Sequence, residues 1–380
     1  MKKIYIFAML VFSVSAHGAT TSLGKAIAAN SSAPQYLVQA ADAWDSLIGT
    51  PMRGGAIATR MSAMNEANNN GRLYDVMSVL AFNNTAMTIY QTSRHLDEAY
   101  DVISNPLLSR RSDSMRNFVI NAHGIGATDK FEHHKNDDFE MRTGGAGVSA
   151  YAYVTNGLTF GVGYTYAKSK SHDMPLDAEG SSNIVSLFSK YLGESGWYIN
   201  TALAAGQTRW ELDKTLAGVA DKTPFDTDIY SGQVTTGIAL NRGRVSLAPE
   251  IGVRYTRLSN EKHVDAAAQD FKKWWYNTLS ADAGASVGVT FAAGGLLIRP
   301  TVKFGAGYDI IHNGTDKVAT RLITGHSYDM PVHAPNRTEL RGGGGIGLYG
   351  SKIAAEATYT LHSRSDYTAH EVQASVKVAF

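Results

Sequence analysis

From about residue 115 to the C-terminus, apolar and polar residues alternate with a period of two. Leu158, Phe160, Val162, Tyr164 and Tyr166 alternate with Thr159, Gly161, Gly163 and Thr165. Val245, Leu247, Pro249, Ile251, Val253 and Tyr255 share one parity, and Ser246, Ala248, Glu250, Gly252 and Arg254 the other. The same pattern runs from Leu296 to Tyr308, from Ile353 to His362 and from Glu371 to Phe380. Successive strand side chains point to opposite faces, so each segment reads as a strand with one apolar face and one small, polar or charged face. A strand of a soluble sandwich is typically about 5–6 residues, whereas a tilted membrane strand needs roughly 9–11. These runs reach that greater length.

Twelve antiparallel strands are predicted, over 115–127, 138–154, 157–168, 181–193, 196–211, 227–241, 244–258, 274–291, 295–311, 337–350, 352–362 and 366–380. The links between them alternate in length. Short ones are Thr155-Asn156-Gly157, Glu194-Ser195-Gly196, Asn241-Arg242-Gly243-Arg244, Ala292-Ala293-Gly294-Gly295 and Tyr349-Gly350-Ser351-Lys352. Long ones cover 128–137, 169–180, 212–226, 259–273 and 312–336 and are rich in Asp, Lys and His; the link near Ser363 to Asp366 is the exception in length. Short turns on one rim and long loops on the other are the pattern of an outer-membrane β-barrel. An even strand count puts both barrel ends on the short-turn, periplasmic side. The segment from Val318 to Met330 is read as a hairpin inside a long loop, because a thirteenth strand would break that parity. Phe160, Trp197, Phe291 and Phe380 fall near the short turns, and Tyr166, Tyr255, Trp275 and Tyr308 toward the long loops. That distribution suits two interfacial aromatic girdles.

Upstream of the strands the pattern is helical. Between Arg72 and Ser104 there is neither Gly nor Pro, and Leu73, Val76, Met77, Leu80 and Ala81 fall at helical spacing. The second half of this segment is wetter, with Asn84, Thr85, Thr88, Gln91, Thr92, Arg94, His95, Asp97 and Glu98. Such a helix is long enough to cross a membrane, but only inside a hydrated channel, because its polar groups are too costly in lipid. Met1-Lys2-Lys3, the apolar stretch from Ile4 to Ala16 and small residues at Ala16 and Ala19 read as a secretory signal peptide, with cleavage after either alanine. The organisation expected is therefore a signal peptide over 1–19, a short helical or irregular leader over 20–71, a pore helix and linker over 72–114, and the barrel over 115–380.

Composition agrees. The chain has 380 residues, a formal net charge of +1 and 18% charged residues. Near-neutral charge argues against nucleic-acid binding. Zero Cys removes disulfides, thiolate metal sites and a Cys nucleophile, and suits passage through an oxidising compartment. No cofactor and no metal are expected. The mean hydropathy of −0.18 averages a lipid-facing apolar half with a polar lumen half and charged loops. The 37 Gly concentrate in strands, as at Gly342 to Gly345, where small residues leave room in the lumen or let a helix approach.

The last strand sets Val372, Ala374, Val376, Val378 and Phe380 against Glu371, Gln373, Ser375, Lys377 and Ala379. An alternating strand ending in Phe resembles the signal read by the bacterial barrel-assembly machinery, here carried by Val376, Val378 and Phe380. Signal peptide, helical leader and twelve-stranded barrel together resemble the translocator domain of autotransporters (type V secretion). The likeness covers roughly Leu73 to Phe380. It rests on order and spacing: a first strand near Arg116-Asn117-Phe118, Gly-rich second and third strands, the Leu247-to-Pro249 strand and the final strand. The resemblance implies a helix held in the pore and export or anchoring of an N-terminal segment at the cell surface. The location implied is the Gram-negative outer membrane. Implied partners are outer-membrane lipids and lipopolysaccharide, the general secretion pathway and the barrel-assembly machinery, with the protein a monomer. Residues 20–71 show none of the repeats of a large solenoid passenger and no Gly-x-Ser-x-Gly signature. The second reading is a porin-like or structural surface-binding barrel.

Strand parity places Glu250, Arg254, Asp282, Arg299, Lys303, Glu339, Arg341 and Glu356 on the lumen face. They either clamp the polar face of the helix, through Arg94, Asp97 and Glu98, or simply solvate the lumen. Some autotransporters release their passenger by cyclisation of a pore-helix Asn that precedes another Asn, which Asn83-Asn84 matches. The flanking Phe82 and Thr85 depart from that motif. His133-His134 and the Asp366/His370 pair lack the further partners of a metal site or protease dyad, so no enzyme is expected.

Overall fold

The computed structural model describes residues 118–380, apart from short stretches at 134–136, 155–156, 173–176, 217–218, 265–269, 315–316, 322–326 and 332–335. Twelve long strands follow one another: β1 (Phe118–His133), β2 (Asp137–Tyr153), β3 (Leu158–His172), β4 (Asp177–Leu192), β5 (Trp197–Leu216), β6 (Val219–Ile238), β7 (Val245–Asn260), β8 (Trp274–Val289), β9 (Leu296–Gly314), β10 (Thr338–Tyr349), β11 (Ile353–Arg364) and β12 (Tyr367–Ala379). Each pairs antiparallel with its sequence neighbours. β1 then pairs with β12, from Val119 opposite Ala379 to Phe131 opposite Tyr367. The sheet is therefore a closed barrel without edges, the form that satisfies backbone groups in lipid. β6 and β8 each resume briefly past a break, as Leu240–Arg242 and Phe291–Ala293.

The alternation maps onto the wall as expected. Phe160, Val162, Tyr164, Ile251, Val253, Val302, Phe304, Val372 and Val376 point outward and are exposed, while Thr159, Thr165, Arg254, Arg299, Glu371 and Lys377 are buried on the inner face. All eight girdle aromatics point outward, from Trp275 at 38% exposure to Phe380 at 60%. The C-terminal Phe380 amide donates to the Phe118 carbonyl at 3.0 Å, so both ends of the barrel meet at one rim. The short turns occupy that rim. Gly196 (φ 85°), Gly243 (φ 62°) and Gly294 (φ 55°) sit in them, and this left-handed backbone needs glycine.

The long loops are the main correction. The segments 128–137, 169–180 and 212–226 are mostly strand. β1 and β2 stay paired to His133 opposite Asp137, β3 and β4 to Lys170 opposite Glu179, and β5 and β6 to Leu216 opposite Val219. Polarity signals the end of the lipid, not the end of the ladder, because backbone pairing is equally satisfied in water. Val318 to Met330 is a loop hairpin, as expected, pairing Lys317–Arg321 with Ser327–Pro331. It joins Asp270–Phe271 and His263–Val264 in a separate four-stranded sheet. The pore helix expected over 72–104 lies outside the described residues.

Inside the barrel, aromatic rings cover glycines on the neighbouring strand. Phe188 lies over Gly161, Trp210 over Gly180 and Tyr198 over Gly237; a Cβ added at Gly180 would come within 2.5 Å of the Trp210 ring. Val119, Tyr151, Phe188 and Ala202 form the resulting core near the short-turn rim, with Tyr151 and Phe188 edge to face at 6.3 Å. Gly161→Val should displace Phe188 and cost about 1–3 kcal/mol by overpacking. The check is a lower denaturant midpoint for the folded, heat-modifiable band on a gel. Gly342→Ala, at an outward position with nothing within 4 Å, should leave that midpoint unchanged.

Candidate functional site

The lumen wall is chemically two-sided. Between β2 and β6 it carries hydroxyls, small residues and aromatics. Thr143 bonds Ser169 at 2.9 Å, and Ser182 bonds Thr208 at 2.7 Å. Lys190 is the one buried cation of this half among the described residues, lying 5.1 Å from the Tyr198 ring centroid. From β7 through β12 the wall is ionic.

All eight lumen residues expected from parity face inward, and the structure links most of them. Arg341 donates to Asp282 at 2.5 Å, and Arg254 approaches the same carboxylate at 3.6 Å. Arg341 also lies 3.8 Å from Glu339. Arg299 donates to Ser246 at 2.8 Å, and Glu250 accepts from Tyr198 at 3.2 Å. Glu356 accepts from Lys377 at 2.9 Å and from Tyr349 at 3.0 Å. Lys303 lines the lumen cavity beside Gly305 and Arg341. Arg94, Asp97, Glu98, Asn83 and Asn84 lie outside the described residues.

The centre of the network is one that parity did not single out. Arg364 on β11 reaches across β10, donating to Glu339 and to Asp309 on β9, each at 2.8 Å. His362 stands between Glu339 (2.9 Å) and Glu371 (3.2 Å), bridging β10 to β12. Ser280 donates to Asp309 at 2.6 Å, and Tyr276 contacts His312 at 2.8 Å. Arg364 and His362 share the parity of Glu356, so strand reading could have found them. Asp309 shares the parity of Arg299 and Lys303 and could have been found the same way. His312 could not: the ladder slips at Leu279/Ser280, leaving Ile310 as an extra residue, so His312 faces the lumen against the parity of its strand. At the seam, Tyr367 donates to buried Asp129 at 2.6 Å.

Two further sequence candidates are spoken for. Asp366 accepts the Asn336 amide at 3.1 Å, and His370 contacts the Tyr359 hydroxyl at 2.8 Å on the outward face. They form no dyad. The ionic chain predicts an asymmetry between inside and outside charges. Arg364→Leu strands two buried carboxylates and should cost about 3–5 kcal/mol, a penalty largely removed when Asp309→Asn and Glu339→Gln accompany it. Lys222→Ala removes exposed contacts to Glu211 and Asp213 and should leave the unfolding midpoint unchanged. Urea titrations followed by heat modifiability check both.

Comparison with known proteins agrees with this architecture. The Autotransporter beta-domain family model matches residues 121–360. An immunoglobulin A1 protease autotransporter of Haemophilus influenzae is 24% identical over 230 residues, covering 60% of this chain and 11% of that protein. The chain thus spans about a tenth of that relative's length. The translocator domain of the autotransporter NalP from Neisseria meningitidis superposes with a TM-score of 0.62 at 17% identity, over 78% of this chain and 98% of that one. The β domain of the Bordetella autotransporter BrkA gives 0.51 at 14%, over 70% and 100%. A closed twelve-stranded wall with both ends at one rim, matched by the family model over most of its length, places this chain in the autotransporter β-domain family, as an outer-membrane translocator barrel of the Gram-negative type.

Proposed function

We propose that the barrel carries the preceding segment of its own polypeptide through the lumen and anchors it at the cell surface. One observation carries this reading. β1 begins beside Phe380 at the short-turn rim, which is periplasmic in such barrels, and it borders a lumen lined with polar and charged groups. In this reading the chain ahead of Phe118 would enter the polar bore at its periplasmic mouth. The segment 72–104, polar over its second half, suits a hydrated bore and not lipid. The buried ionic wall would supply both signs of charge to Arg94, Asp97 and Glu98.

The N-terminal apolar stretch would direct the chain through the general secretion pathway. The outward stripe ending in Val376, Val378 and Phe380 would present it to the barrel-assembly machinery. Lipopolysaccharide and lipid would surround the apolar outer face of a monomer. No catalysis is assigned to the barrel; any activity would belong to what it displays.

A reporter inserted after Ala19 tests the reading. On intact cells, added protease should remove the reporter while the barrel persists. A reporter that is cut only after the outer membrane is permeabilised would overturn it. Deleting residues 72–104 should raise conductance in planar bilayers; unchanged conductance would favour a porin-like barrel.

A further inference from the structure

The outer wall carries its charge unevenly near the long loops. On β1, β2 and β3 the register sets the outward positions into rows. Gly126 lies opposite Gly144, and Gly144 opposite Lys168. One step nearer the loops, Thr128 lies opposite Arg142, and Arg142 opposite Lys170. On these three strands the two rows hold three cations and no carboxylate. Across β4 to β6 the first row continues as Ser181, Arg209 and Asp226, and the second as Glu179, Glu211 and Pro224. There carboxylates outnumber the single cation.

Arg142 and Lys170 are directly opposed, and like charges so placed repel one another. Each bonds a carboxylate outside the corner they share. Arg142 donates to Glu140 at 2.6 Å, and Lys170 to Glu179 on β4 at 2.5 Å. Their side chains remain 60% and 54% exposed, so N–H donors are left over on both. Lys168 is exposed and forms no ion pair among the described residues. The ground beside it is open, because a Cβ added at Gly126 or Gly144 would meet nothing within 4 Å. On the same strand, toward the short turns, follow Tyr166, Tyr164 and Val162, all outward and exposed. Such an aromatic step marks the edge of the hydrocarbon. The three cations therefore stand at headgroup height on the long-loop side, which is the outer leaflet.

We propose that Arg142, Lys168 and Lys170 bind a phosphate of the outer-leaflet glycolipid, the phosphorylated sugar headgroup of lipopolysaccharide. A guanidinium fork and two ammonium groups around an open floor suit a phosphate. Anions at this height belong to lipid and reach the site sideways through the leaflet. The acyl chains then run down the wall past Val148, Tyr164 and Val162, which are exposed on the same face. The inference rests on the outer-membrane placement above and not on threading. It replaces a lipid that merely surrounds the barrel by one held at a fixed place.

Native mass spectrometry of the full-chain barrel in nonionic detergent, with bisphosphorylated lipid A added, tests the site. Heat modifiability confirms that each variant is folded. One retained lipid A per barrel is expected. Lys168→Gln should weaken retention about tenfold by removing one charge-assisted bond, and Lys168→Arg should keep it. Lipid A stripped of its phosphates should bind the unaltered barrel no better than intact lipid A binds Lys168→Gln. Arg257→Gln removes an outward cation on β7, beside Trp275, and should leave retention unchanged. An equal loss in Arg257→Gln overturns the site. So does equal retention of phosphatidylglycerol, or displacement of lipid A by inorganic phosphate. The surface reporter described above tests threading separately, so the two readings fail independently.

Discussion

Pairing between β1 and β12 is the constraint on which everything else depends. In lipid an unpaired strand edge leaves a row of amide and carbonyl groups without water, at several kcal/mol for each group. Closure removes both edges together. It also brings Phe118 and Phe380 to one rim. The seam is reinforced from within by Tyr367 bonded to Asp129, a contact between residues at opposite ends of the described sequence.

Once the sheet is closed, the inner face must be filled or hydrated, and the two halves of the wall solve this differently. Between β2 and β6, aromatic side chains fold down onto glycines among buried hydroxyls. From β7 to β12, charges of both signs bond one another across two or three strands. Ion pairs of this kind contribute little net stability, but removing one partner is expensive. Such a wall holds its shape while keeping polar groups along the bore, which suits passage of a polypeptide better than a packed core would.

The lipid-facing and lumen-facing sets were readable from parity alone, because a strand has no freedom to turn one side chain without turning all. Glu250, Arg254, Asp282, Arg299, Lys303, Glu339, Arg341 and Glu356 followed from that rule. Their partners did not. Which carboxylate Arg364 reaches depends on the register between β9, β10 and β11, and register is a relation between strands distant in sequence. The bulge at Ile310 is harder still. One extra residue brings Asp309 and His312 onto the same face, and nothing in the Ile-Ile pair at 310 and 311 announces it. The strand ends beyond the lipid were misread as loops for a related reason: hydropathy reports the solvent, whereas the ladder reports the partner strand.

Alternation, the twelve-strand count, the rim of short turns and the inward charges were thus determined by the sequence itself. Each is a local consequence of the two-residue period and of turn chemistry. The tertiary structure alone decided which charges meet and which glycines are covered by rings. Those depend on distances across a closed wall. Closure fixes them only when the first strand finds the last.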